Sequence, residues 1–220
     1  MTSNALDGAQ TRDWAGRFTA SVYATEAELT ALDQQAGDGD FGANLAAGVR
    51  AAGLLLDRAA DSAGPEECLG AMATAFLDEV GGTSGPLFGL LFQALSRAAG
   101  AETGLTTDAL ATGAAQGLEA IRRVGDASPG DKTLVDALAP AAAALRAAQD
   151  APPTAALAKA AEGAWRGVRE TASQAARMGR ASYLGERATG VPDPGAVGVA
   201  LFFASAAGTV RSLEPYLAGE

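Results

Sequence analysis

The chain alternates stretches of helical periodicity with short glycine- and proline-rich breaks, and nowhere carries the run of alternating β-branched residues that marks a strand. Helices packed on helices are the architecture this pattern leaves available. Apolar residues make up 48% of the chain but aromatics only 5%, so the expected core is built mainly from Ala, Leu and Val. Alanine loses no side-chain entropy in a helix, which favours the same answer. The fold class read from the sequence is therefore all-α. A length of 220 residues suffices for one sizeable core, and a single domain over residues 1–220 is the expectation.

The expected helices run from Gln10 to Val22, on to about Gln34 with Thr25 as N-cap, from Ala43 to Arg58, and from Pro65 to Val80. Further ones start at Pro86, run from near Thr107 to near Val124, pass through Leu134, Leu138 and Leu145, and span Thr154 to about Met178. The last starts at Pro194 with Asp193 as its N-cap.

The chain has no histidine. That excludes a Ser/His or Cys/His catalytic pair, a histidine-ligated zinc and a phosphohistidine carried on this chain. Chemistry is left to carboxylates, hydroxyls, backbone amides, Lys/Arg or a metal ion. A formal charge of -10 argues against nucleic acid or an anionic membrane as partner, and no apolar segment reaches the length of a membrane span. The lone Cys68 cannot form an internal disulfide, and the N-terminal residues show no signal peptide, so the expected location is the cytoplasm.

Binding residues belong in the polar, glycine-rich segments between helices. LDQQAGDGDFGAN places Asp33, Asp38 and Asp40 within eight residues. Asp33 falls at the end of a helix, where the dipole disfavours a carboxylate, and a bound Mg²⁺ would explain the clustering. A lone Asp-Gly-Asp more often caps turns and helix starts, and that reading stands beside the metal one. GGTSGP offers the Thr83 and Ser84 hydroxyls and close backbone approach at a helix start; a plain interhelical turn is the alternative. The same choice applies to GDASPGDKT. The segment from Gly179 to Gly195 is long for a helix connection and carries Arg180 and Arg187, each of which suits an anion or a solvated surface.

Taken together, LDQQAGDGDFGANL, GGTSGPLFG, PGDKTLVDALAP and GRASYLGERATGVPDPGA resemble the nucleotide-binding L subunit of dihydroxyacetone kinases, in the family's order. The resemblance implies an antiparallel barrel of about eight helices with the nucleotide at one rim. It implies that Asp33, Asp38 and Asp40 bind two Mg²⁺ ions bridging the phosphates of ATP or ADP. Phe41, Gly42, Ala43 and Asn44 would lie beside those phosphates, and Thr83 and Ser84 would contact phosphate oxygens. Gly125 and Leu134 would border adenine and ribose, Arg180, Asp193, Pro194 and Gly195 would complete the pocket, and the long loop before Pro194 would cover it.

Family members commonly carry His at the position of Phe41, so a polar phosphate contact is lost or moved, and Leu134 stands where methionine is frequent. In these kinases a histidine on a separate K-type subunit tethers the keto substrate. The resemblance thus implies a complex in which this chain is the nucleotide half and the acceptor is dihydroxyacetone or a related keto-sugar. It allows two phosphoryl donors: free ATP, or a nucleotide rephosphorylated in place by a phosphotransferase-system protein. The alternative is a catalytically altered, nucleotide-binding regulatory or adaptor subunit that acts through protein contacts.

Overall fold

The computed structural model describes residues 4–99, 104–178, 182 and 189–218. Among them the chain is helical almost throughout: α1 (Gly8–Ala36), α2 (Phe41–Arg58), α3 (Pro65–Glu79), α4 (Ser84–Ala99), α5 (Thr107–Gly125), α6 (Leu134–Ala147), α7 (Pro153–Thr171), α8 (Pro194–Ala204) and a single turn, α9 (Glu214–Leu217). Two residues on either side of the α1–α4 block pair as a minimal antiparallel ribbon, β1 (Ala5–Leu6) with β2 (Leu105–Thr106). Each long helix packs on its neighbours in sequence, and α8 returns to α1, α6 and α7, closing the ring.

Local chemistry accounts for the helix starts. Asp7 caps α1 in a reciprocal box with Gln10, Thr133 does the same for α6 with Asp136, and Asp193 accepts the Ala196 N–H at the start of α8. Pro65, Pro153 and Pro194 stand in first turns, where a missing N–H costs nothing.

Several boundaries differ from the sequence reading, among them α1, which starts at Gly8 instead of Gln10, and α2, which starts at Phe41 instead of Ala43. The two expected N-terminal helices are one: Thr25 is buried in mid-helix and donates its hydroxyl to the Ser21 carbonyl at 2.8 Å instead of capping. Helix α4 begins at Ser84, with Pro86 still inside the first turn. The cap of α5 is Thr106, accepting from the Ala109 N–H, while the Thr107 hydroxyl reaches the Ala151 carbonyl. Helix α7 ends at Thr171 instead of near Met178, where contacts from the α5–α6 connection intercept its last carbonyls.

The core is built mainly from Ala, Leu and Val, as expected, and the few aromatics join it. All seven phenylalanines are buried, and Phe18, Phe76, Phe88, Phe92 and Phe202 form one connected aromatic cluster along the ring's axis. Trp14 stacks on Phe202 at 4.4 Å and donates its indole N–H to the Phe202 carbonyl at 2.8 Å. Ala and Leu fill the spaces between helices, and the few aromatics fill the centre. Helix α8 has no polar face, and Ala196 to Phe203 are shielded on all sides. Truncating the ring at the closure, Phe202→Ala, is expected to lower the unfolding free energy by about 3–5 kcal/mol. Denaturant titration checks this, and a loss below roughly 1 kcal/mol would show that the cluster collapses around the gap.

Candidate functional site

An up-and-down ring places alternate helix ends together. Here the connections α1–α2, α3–α4, α5–α6 and α7–α8 meet at one rim, around a cavity of about 410 Å³. Its wall takes residues from the N-terminal turns of α2 (Phe41, Asn44), α4 (Ser84, Leu87), α6 (Leu134, Val135) and α8 (Pro194, Gly195). Four positive helix-dipole ends and their first-turn amides therefore border one space, an arrangement suited to an anion.

The same rim carries the carboxylates. One oxygen each of Asp33, Asp38 and Asp40 lies within 4.8 Å of the others. Asp33 is buried near the end of α1, and its Oδ2 accepts the Phe41 N–H at 3.0 Å, fastening the end of α1 to the start of α2. Burial pushes the Asp33 carboxyl above its ordinary range; the Phe41 N–H works against this, and Asp38 and Asp40 add to it. Asp40 occupies the N-cap position of α2 without a side-chain capping bond. The turn-capping explanation of the Asp-Gly-Asp pair thus finds no side-chain cap at Asp40. Three converging carboxylates, one of them desolvated, fit a hard divalent cation whose remaining positions go to water and phosphate oxygens.

Most residues singled out from the sequence line this cavity: Asp33, Asp38, Asp40, Phe41, Asn44, Thr83, Ser84, Gly125, Leu134, Asp193, Pro194 and Gly195. Gly42 and Ala43 do not. A side chain at Gly42 would strike the Thr30 hydroxyl and come within 2.6 Å of the Glu26 carbonyl, so this glycine serves the α1–α2 crossing. Ala43 is exposed on the far side of α2. Arg180 and Arg187, with most of the loop expected to cover the pocket, lie outside the described residues. Phe41 lines the cavity with an apolar ring seated in the core, 6.4 Å from Phe88 between centroids and against the backbone of Gly198.

Sequence reasoning missed Leu87, Ile121, Ala127 and Met178, which form an apolar part of the wall, and Lys132 with Thr133 at the start of α6. Leu87 and Ala127 lay within the glycine-rich segments already singled out, whereas helical spacing marks Ile121 only as core. Lys132 was visible within the PGDKT segment, but its burial was not.

The starts of α8 and α6 lie close together: at Gly195 an added Cβ would sit 3.1 Å from the Asp193 Oδ2 and 3.4 Å from the Leu134 Cβ. Burial raises the Asp193 carboxyl to about 7 against the opposing Ala196 N–H, with Asp136 adding to the rise and Lys132 opposing it.

Fold and rim together define a helical barrel that gathers carboxylates beside four helix N-termini. The chain belongs to the DAK2-domain family, whose pattern it matches over residues 35–208. It is 36% identical over 197 residues to the ADP-binding subunit DhaL of the PEP-dependent dihydroxyacetone kinase of Escherichia coli, covering 88% of this chain and 93% of that one. It is 40% identical over 177 residues to the L-erythrulose 1-kinase of Mycolicibacterium smegmatis, covering 80% of this chain but only 31% of that longer protein. The crystal structure of the C. freundii dihydroxyacetone kinase in complex with AMP-PNP and Mg2+ superposes with a TM-score of 0.68 at 28% identity, over 93% of this chain and 34% of that one.

Asp193 generates a pH prediction. Unfolded, its carboxyl titrates near 3.8; folded, near 7. Between these values the folded chain keeps a proton that the unfolded chain has released, so this group's contribution to stability falls as pH rises from about 3.8 to about 7. Asp193→Asn keeps an oxygen for the Ala196 N–H and abolishes the titration. Melting temperatures of the ligand-free proteins should diverge in favour of D193N as pH rises through this window. A constant difference across it would contradict the assignment.

Proposed function

We propose that this chain is the nucleotide-binding subunit of a keto-sugar kinase, holding Mg-ATP or Mg-ADP at the barrel rim. The observation that carries this reading is the convergence of Asp33, Asp38 and Asp40 with four helix N-termini around one nucleotide-sized cavity. The whole chain acts here as one nucleotide-binding domain.

Asp33, Asp38 and Asp40 would hold the magnesium, two ions in this reading, and the metal would supply neutralisation of the phosphate charge. The chain's own residues bind and orient. Asn44, Thr83 and Ser84 stand at the mouths of α2 and α4, where side-chain donors and first-turn amides meet phosphate oxygens. Gly42 and Ala43, which the resemblance sets beside the phosphates, do not line the cavity. Gly125 and Leu134, with Leu87, Ile121 and Met178, offer the apolar surface that a base and ribose require. Burial raises the Asp193 carboxyl to about 7, which lessens its repulsion of a polyanion without removing it.

Catalysis in this arrangement is positioning and electrostatics. With no histidine, the chain lacks the histidine tether that the resemblance implies for the keto group, so a K-type subunit brings dihydroxyacetone, an erythrulose or a related keto-sugar to the rim. The phosphoryl donor is free ATP or a phosphotransferase-system protein that recharges bound ADP. The similarity to DhaL supports a separate partner, and the kinases of M. smegmatis and C. freundii, about three times longer, support the chemistry. No helix among the described residues is long and apolar enough to cross a membrane.

A second reading, a nucleotide-binding adaptor without turnover, draws on one observation: the Phe41 ring is buried among apolar groups and offers phosphate no hydrogen bond. Turnover of a keto-sugar in the presence of a K-type subunit separates the two.

Isothermal titration tests the site itself. Mg²⁺-dependent ADP binding is expected in the wild type, and Asp38→Ala should weaken it roughly a hundredfold, the scale of one lost charge contact. The circular dichroism of the helices should be unchanged, because Asp38 is exposed at a bend. Equal ADP affinity with and without Mg²⁺ would remove the metal from the reading.

A further inference from the structure

Lys132 is the least expected residue of the rim. It is a lysine only 1% exposed, in the left-handed region at φ 61, where a side chain is strained. Its ammonium donates to the Thr171 carbonyl at 2.8 Å, the Gln174 carbonyl at 3.3 Å and the Val191 carbonyl at 2.7 Å. Thr171 closes α7, and Val191 lies just before the start of α8, so one cation gathers carbonyls from both ends of the α7–α8 connection.

The bonds around it point the same way. Asp131 next door accepts the Arg177 N–H on its carbonyl at 3.2 Å and the Arg177 guanidinium on its carboxylate at 3.5 Å. Asp136 holds the loop from the other side, accepting the Gly130 N–H at 2.6 Å and the Thr133 N–H at 2.8 Å. The connection is also tied to itself, Gly190 N–H to the Ala172 carbonyl at 2.7 Å and Asp193 N–H to the Thr171 hydroxyl at 2.9 Å. Carbonyls at a helix C-terminus carry the negative end of the dipole and attract a cation. Met178, Asp193, Pro194 and Gly195, all cavity wall, hang from this knot.

We propose that Lys132 is the positioning residue of the pocket: its ammonium draws the carbonyls of Thr171, Gln174 and Val191 to one point, and this fixes the wall that the α7–α8 connection presents to a bound nucleotide. It acts through backbone, not by touching phosphate. An ammonium can aim three donors at converging acceptors, which neither a neutral side chain nor a planar guanidinium reproduces.

The test has two arms on Lys132→Met. Amide hydrogen exchange of the ligand-free protein reads the knot directly: residues 172–178 and 189–193 should exchange at least about tenfold faster, while the cores of α2, α3 and α4 keep their protection. Affinity for adenosine, AMP and Mg-ADP reads the consequence: all three should weaken by a similar factor, about tenfold. The affinity arm rests on the proposed nucleotide function. A wild type that binds none of the three refutes that function, while the exchange arm still decides the role of Lys132. Should K132M fail to fold, both arms are read on K132R. Unchanged exchange in the two segments overturns the proposal, as does a uniform rise throughout the helices. A loss of affinity that grows with each added phosphate also overturns it, because Lys132 would then be a phosphate contact.

Discussion

The ring of helices closes where Trp14 of α1 stacks on Phe202 of α8 and its indole N–H meets the Phe202 carbonyl. Helix α8 is apolar on every side and can exist only in that closed setting. Closure decides more than stability. In an antiparallel ring every second helix starts at the same end, so four N-termini must face one another once α8 is seated. The anion-attracting rim is thus a consequence of connectivity and handed to the loops without further design.

What the loops add is charge of the opposite sign. Asp33, Asp38 and Asp40 stand together beside α2, and burial, with the neighbouring Asp38 and Asp40 carboxylates adding to it, pushes the Asp33 carboxyl upward. A rim that attracts anions and also gathers carboxylates is contradictory for any single ion. It is consistent for an anion that arrives with a divalent cation. The overall charge of -10 is no obstacle, because contacts at this range outweigh distant charges screened by salt. The buried cation of Lys132 belongs to the same balance: it offsets the helix C-terminus and the Asp193 and Asp136 carboxyls.

Much of this was legible before any coordinates. Helix starts marked by proline or an Asp/Thr cap were placed within a residue or two, because capping is local chemistry. The break expected at Thr25 was wrong because a threonine hydroxyl serves equally as a cap or as a bond to the preceding turn; burial on the face shared with Ser21 decides, and burial is tertiary. The end of α7 was misplaced because the cation that takes its last carbonyl comes from a distant loop. Within the site, Phe41 and Asn44 reach the cavity while Gly42 and Ala43 between them do not, as three-residue spacing on a helix requires. The motif named the segment; the helical period chose its members. The apolar wall of Leu87, Ile121 and Met178 comes from three separate segments, and only Leu87 lies within a quoted motif, so the folded chain assembles it.

The most direct test is a crystal of this chain grown with AMP-PNP and Mn²⁺ in place of Mg²⁺, examined for anomalous scattering. Manganese peaks bounded by carboxylate oxygens of Asp33, Asp38 and Asp40, with the phosphates toward the starts of α2 and α4, are the expected result. Nucleotide bound elsewhere on the barrel, or bound at this rim with no manganese at the three carboxylates, would contradict the metal-held rim site.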